Sequence, residues 1–245
     1  MPSASQPQQL ESLPGPVQSA ARALRGELAA AFGPGLHALY LYGAVTFPES
    51  EGTGDLDYHA ILSGPPSNEQ RAAYVAACAR LASRPGCDDL DGWVISLAQA
   101  RGSDPPQHLM RTDLRDSAWA LHRAHWLAGR CVVLHGPPPA SIVTEPGWPE
   151  LLRSLEAELR FAVADPHDAF AVLNSCRILH SLADHDVVQS KFGSGWWALE
   201  HLPAEHSAAI RAAMNSYRGT ATDRDAVAAA AGRPAIQALA ERALR

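Results

Sequence analysis

The chain is poor in most of the features that mark a specialised class. No apolar stretch runs free of charge or glycine for the roughly 20 residues that a membrane-crossing helix needs, so no membrane partner is expected. The opening MPSASQPQQLESLPGP has neither a basic n-region nor an apolar h-region. It reads as a short disordered lead over residues 1–15 rather than a secretory signal, and a cytoplasmic location is expected. Cysteine is scarce: Cys78, Cys87, Cys131 and Cys176 are scattered with no C-x-x-C pair, which predicts reduced thiols and no structural zinc built on them. Basic charge is in deficit, with 20 Lys+Arg against 26 Asp+Glu and a net charge of −6. That excludes the basic footprint by which proteins grip a nucleic-acid backbone and leaves room for a cationic small molecule. There is no internal repeat, and a monomer is expected.

Enough apolar material is present for two modest cores: 245 residues, 47% hydrophobic and 19% charged. Val17, Ala21, Leu24, Leu28 and Phe32 fall at helical spacing and stop at Gly33-Pro34-Gly35. Leu36 to Tyr42 is short, aromatic-rich and bounded by Gly35 and Gly43, which favours a buried strand. Twelve residues after Gly43 comes Asp55, and Asp55, Asp57 and His59 then alternate with Leu56, Tyr58 and Ala60. That period of two predicts a half-buried strand over Leu56 to Leu62 with both carboxylates on one side. Same-face neighbours on a strand lie roughly 6.6 Å apart, so two carboxylates can converge on a divalent cation whose shell phosphate oxygens complete. The spacing alone is weak, because Asp89/Asp91, Asp184/Asp186 and Asp223/Asp225 repeat it. Its setting, with a strand, a glycine turn and then acids in register on a second strand, is what singles it out.

Further elements follow the same signals. Asn68 to Ala82 reads as a helix capped by Ser67, Leu90 to Leu97 as a third strand carrying Asp91, Ser117 to Ala128 as a helix, and Cys131 to Leu134 as a last strand. The proline-rich stretch from Gly136 to Pro149 reads as a stiff linker. Beyond it the pattern is helical: Glu150 to Ala164, His167 to Ala183, a short helix around Trp196 to His201, Ala204 to Tyr217, and Asp223 to Leu244 broken at Gly232-Arg233-Pro234.

YLYGAVTFPESEGTGDLDYHA, residues 40 to 60, resembles the glycine-serine…D-x-D signature of the DNA polymerase β-like nucleotidyltransferases. Within them, LDGWVI (90–95), VVLHGP (132–137) and LNSCRILHSLADHDVVQSKFGSGWWALEHLP (173–203) are similar to the streptomycin/spectinomycin adenylyltransferases. That resemblance implies an α+β chain: a nucleotidyltransferase domain over 16–140, with a mixed sheet flanked by helices, and an α-helical bundle domain over 148–245. It implies an ATP- and Mg²⁺-dependent transfer of AMP to a hydroxyl of a small molecule, with an aminoglycoside as the expected acceptor. Asp55 and Asp57 would hold Mg²⁺, with Asp91 as third carboxylate, where the family carries a glutamate general base. Asp91 as base, as metal ligand and as an acid capping the strand entrance remain three open readings. Gly43 and Ala44 would lie against the triphosphate, Arg177 and Lys191 would meet nucleotide phosphates, and Asp168 or Asp165 would meet the acceptor. Ala44 replaces the family's serine, removing a donor worth roughly 1.5–3 kcal/mol to a charged acceptor, which Thr46 or Thr53 could replace. A second reading is therefore a degenerate nucleotidyltransferase-fold protein that binds nucleotide or a small molecule with little or no catalysis. A third is transfer to a protein or RNA hydroxyl.

Overall fold

The structure is a computed structural model describing residues 5–50, 56–84, 87 and 90–245. It divides into two compact units, residues 1–146 and 147–245. In the first unit, α1 (Gly15–Phe32) precedes β1 (Leu36–Tyr42) and β2 (Leu56–Leu62), and α2 (Asn68–Ala82) leads to β3 (Leu90–Ser96). A single-turn α3 (Leu97–Ala100), α4 (Trp119–Leu127) and β4 (Val132–His135) complete the unit. The strands form one four-stranded mixed sheet in the order β3-β2-β1-β4. β1 runs antiparallel to β2 and β4, and β2 runs parallel to β3.

The period-2 alternation sorts the sheet's side chains onto two buried faces. Leu39, Leu41, Tyr58, Ala60, Leu62 and Val94 pack with α1 and α2. Ala38, Tyr40, Tyr42, Ile61 and Ile95 face the indoles of Trp119 and Trp126 on α4. α2 begins in a capping box, with Gln70 N–H donating to Ser67 Oγ and Ser67 N–H to Gln70 Oε1. Residues 5–13, expected within a disordered lead, are instead tied down. Ser5 N–H donates to Leu127 O, Gln8 pairs with Val132 beside β4, and Gln8 Nε2 donates to Thr46 O at 2.6 Å. Polar residues with no periodicity gave no sign of these long-range bonds.

The second unit holds α5 (Trp148–Ala164), α6 (Asp168–Asp184), α7 (Lys191–His201), α8 (Ser207–Tyr217) and α9 (Asp223–Ala243). Its core gathers Val172, Leu173, Cys176, Phe192, Ile210, Met214 and Ile236. Two elements differ from expectation. α7 starts at Lys191, because Ser190 caps it by accepting Gly193 N–H at 2.8 Å. Its glycines, weak helix formers by themselves, are held by packing: a Cβ on Gly195 would press on Met214 and Leu173. α9 runs unbroken through Gly232-Arg233-Pro234. There Gly232 lets α9 close onto Ala209 of α8, and Arg233 donates to the carbonyls of Ala162 (3.1 Å) and Val163 (2.8 Å), which end α5 without helical partners. Tertiary bonds thus outweigh the local signal to break.

Gly232→Ala decides between two opposed effects. Helix propensity alone would stabilise α9 by about 1 kcal/mol, but a Cβ there overlaps the Ala209 methyl, and overpacking costs about 1–3 kcal/mol. Urea denaturation is expected to show net destabilisation; a gain in stability would contradict the close α8–α9 contact.

Candidate active site

Three sequence-distant residues meet at one end of the sheet because of its register. Tyr42, the last residue of β1, pairs with Asp57, and Asp57 pairs with Asp91 on the parallel strand β3. Asp57 and Asp91 therefore occupy register-paired positions on adjacent parallel strands, with backbones about 4.8 Å apart. Gly43 follows Tyr42 at φ 80°, in the left-handed region that favours glycine. A Cβ on Gly43 would overlap the Asp57 carboxylate, so only glycine allows that carboxylate to lie against the turn. Asp55 lies outside the described residues, as does Thr53.

The turn after Gly43 folds on itself. Ala44–Thr46 is a 3₁₀ turn in which Thr46 N–H and Thr46 Oγ1 both bond Gly43 O, at 3.1 and 2.8 Å. Thr46 is buried and its carbonyl accepts from Gln8 and Arg130. Its hydroxyl is therefore used inside the turn and does not stand in for the serine that Ala44 replaces. Backbone N–H groups are the donors this turn can offer an anion.

Asp91 has an exposed side chain with the guanidinium of Arg111 4.0 Å from its Oδ1. Arg111 is placed by His108, whose Nδ1 accepts the N–H groups of Met110 (2.9 Å) and Arg111 (3.0 Å) while Nε2–H donates to Gly92 O at 3.1 Å. Burial is the first cause that holds the His108 pKa below its ordinary value, so it stays neutral and keeps this geometry. Neither Arg111 nor His108 was singled out in the sequence: they sit in a loop whose only signal is composition. A cavity of about 370 Å³ opens beside Asp91 and Arg111 on the α2 side of the sheet, walled by Tyr58, Tyr74, Cys78 and Leu81. Asp91, His108 and Arg111 line it as well, so its walls mix apolar and charged groups.

Behind Asp57 on the same sheet face lies a buried polar cluster. Asp116 Oδ2 lies 3.1 Å from His59 Nε2 and 2.9 Å from His122 Nδ1, while Asp116 Oδ1 accepts Ala118 N–H at 3.1 Å. Burial drives the His59 pKa down from 6.5 to about 4, only partly opposed by Asp116. Burial would raise Asp116, but His122 and His59 outweigh it and hold the carboxyl well below the usual carboxylate range. His59 was legible as one member of the alternating strand, but its partnership with Asp116 and His122 was not.

In the helical unit the candidate residues have partners of their own. Arg177 donates to Glu158 Oε2 at 2.5 Å, and Asn174 Nδ2 donates to Glu158 O at 3.2 Å. Lys191, the one lysine of the sequence, opens α7 with Nζ 4.5 Å from the Phe170 ring centre and 5.4 Å from that of Tyr217. Asp168 Oδ1 bonds Arg233 at 3.0 Å. Asp165 Oδ1 accepts from His167 N–H at 2.7 Å. His180 bonds Ser194 and Asp184 and stacks on Trp197.

Residues 149–244 match the family model described as aminoglycoside adenylyltransferase, C-terminal domain. That match spans the helical unit. The adenylyltransferase likeness extends to the fold of nearly the whole chain. The crystal structure of a spectinomycin adenyltransferase from Enterococcus faecialis, solved with ATP and spectinomycin, is similar with a TM-score of 0.73 over 93% of this chain and 99% of that one. At 14% identity this likeness establishes the fold and not the activity. No curated protein matches this chain. Among the described residues, no helix is long and apolar enough to cross a membrane.

The buried cluster fixes an acid sensitivity. Between pH 6.5 and about 4 the unfolded chain binds a proton at residue 59 that the folded chain refuses, so stability falls as pH falls through that window. Asp116 adds a further loss at lower pH as its carboxylate protonates. Thermal midpoints measured from pH 7 to 4 should drop for the native chain by the equivalent of a few kcal/mol, and His59→Phe should flatten the drop. Equal slopes in the two proteins would contradict the neutral, buried state of His59.

Proposed function

We propose that this chain is an ATP- and Mg²⁺-dependent nucleotidyltransferase that transfers AMP to a hydroxyl of a small cationic molecule of the aminoglycoside class. The observation that carries this reading is the row Gly43, Asp57, Asp91 at one end of the sheet. Hard carboxylate oxygens on adjacent strands, beside a turn stripped of side chain, fit a small divalent cation that takes its remaining ligands from phosphate and water. Asp57 and Asp91, with Asp55, are the residues proposed to hold Mg²⁺. When bound, the cation would neutralise charge on the triphosphate as pyrophosphate departs.

The chain's own groups perform the remaining tasks. Gly43 brings backbone N–H groups to a phosphate, with Ala44 next to it leaving the approach unblocked. Asp91, with the guanidinium of Arg111 4.0 Å from its Oδ1, is the carboxylate proposed to accept the proton of the attacking hydroxyl. In the helical unit, Arg177 and Lys191 are the proposed phosphate cations. Glu158 fixes the guanidinium of Arg177, and the rings of Phe170 and Tyr217 orient the ammonium of Lys191. Asp168, partly exposed while it holds Arg233, is the carboxylate proposed to meet an ammonium of the acceptor.

Incubation with MgATP and a panel of aminoglycosides, followed by mass spectrometry, should yield a product heavier by one AMP. No product across the panel would sink the drug-modifying reading. Gly43→Ala should lower turnover at least 100-fold, because its methyl displaces the Asp57 carboxylate and the left-handed backbone adds about 1–2 kcal/mol of strain. Activity within twofold of the native chain would refute the role of the turn. One observation favours the second reading, a nucleotide binder without turnover: the loop keeps its threonine hydroxyl for itself at Gly43 O and has alanine where a donor is expected. Retention of ATP in equilibrium dialysis without release of pyrophosphate, with every acceptor tested, would select it.

A further inference from the structure

We propose that His59, Asp116 and His122 form a second metal site, for a zinc-class divalent ion, under the α4-facing side of the sheet. The three side chains come from β2, from the loop before α4 and from α4 itself, and their ligand atoms all lie within 4.8 Å of one another. Two imidazoles and one carboxylate are a zinc-type donor set, whereas the acidic row at the sheet end offers only oxygen and suits Mg²⁺. The spacing is close to what such an ion needs. A tetrahedral ion with bonds of about 2.0–2.1 Å has ligand–ligand edges of roughly 3.3 Å. The His59–Asp116 and Asp116–His122 separations, 3.1 and 2.9 Å, lie within a few tenths of an ångström of that edge, and the remaining His59–His122 edge is no longer than 4.8 Å, so side-chain shifts bring the three onto one ion.

An orphaned atom points the same way. His59 Nδ1 is fully buried with no hydrogen-bond partner among the described residues. The rings of Tyr42, Trp93, Trp119 and Trp126 surround the imidazole, with centroids 5.2, 6.3, 5.6 and 5.0 Å away. Nδ1 finds no donor for a bare lone pair in this setting, while an N–H is weakly favoured near aromatic rings. With the proton on Nδ1, the lone pair of Nε2 faces the Asp116 carboxylate, and two electron-rich atoms at that distance call for a cation. Metal-bound histidines commonly carry their proton on the far nitrogen in this way. Only His122 among the three has appreciable exposure, 19% of its side chain, so the ion would enter past it. The ion would clasp β2 to α4 two residues from Asp57. It needs neither ATP nor catalysis, so its failure and that of the proposed function are separable.

The full chain, stripped with chelator and titrated calorimetrically with Zn²⁺ in excess Mg²⁺, should bind one equivalent and gain thermal stability. His122→Gln should weaken that binding about 100-fold, and His180→Gln, at the separate His180–Asp184 pair, should leave it unchanged. X-ray absorption of the zinc complex needs no variant and should show two imidazole nitrogens with a carboxylate oxygen. Absence of saturable Zn²⁺ binding, binding unaltered by His122→Gln, or a shell without imidazole would each overturn the site.

Discussion

Two aspartates paired in register across adjacent strands are the constraint on which the first unit turns. Asp57 and Asp91 share a row, and like charges on neighbouring strands repel unless an opposite charge intervenes. Arg111 supplies part of that charge at 4.0 Å and is itself held by the two N–H bonds that His108 accepts from the loop. This row stands at a sheet end, beside a turn that has no side chain at Gly43. The turn gives up side-chain donors in the process, since Thr46 Oγ1 closes the turn onto Gly43 O.

The helical unit applies a comparable economy to its charges. Arg233 joins three parts of the unit at once, donating to the last carbonyls of α5 and to Asp168 at the start of α6 from the middle of α9. That triple use explains why a Gly-Arg-Pro sequence sits inside a continuous helix. Arg177 pairs with Glu158, and Lys191 lies 4.5 and 5.4 Å from the ring centres of Phe170 and Tyr217, so both cations have partners within the unit.

The strands were legible because their signals are local. Leu36 to Tyr42 and Leu56 to Leu62 carry alternation and flanking glycines, and both have the expected bounds. Ser67 announced α2 in the same way. What escaped was everything decided by distant partners: the docking of Gln8 on Thr46 and Val132, the unbroken α9, the early start of α7, and the loop that delivers Arg111 to Asp91. The acidic row itself was half visible. The spacing of Asp55 and Asp57 stood in the sequence, and Asp91 was named as third carboxylate through the family resemblance, because its parallel pairing with Asp57 across more than thirty residues is encoded by no local pattern. The same holds for His59, whose partners Asp116 and His122 come from another element.

The most direct test of the acidic row is a calorimetric titration of the full chain with ATP, with and without Mg²⁺, for the native protein and for Asp57→Asn. If the row holds the cation that bridges the triphosphate, Mg²⁺ should tighten ATP binding in the native chain by tenfold or more, about 1.4 kcal/mol, and should have no effect in the variant. ATP affinity that ignores Mg²⁺ in the native chain, or Mg²⁺ enhancement that survives Asp57→Asn, would contradict the account.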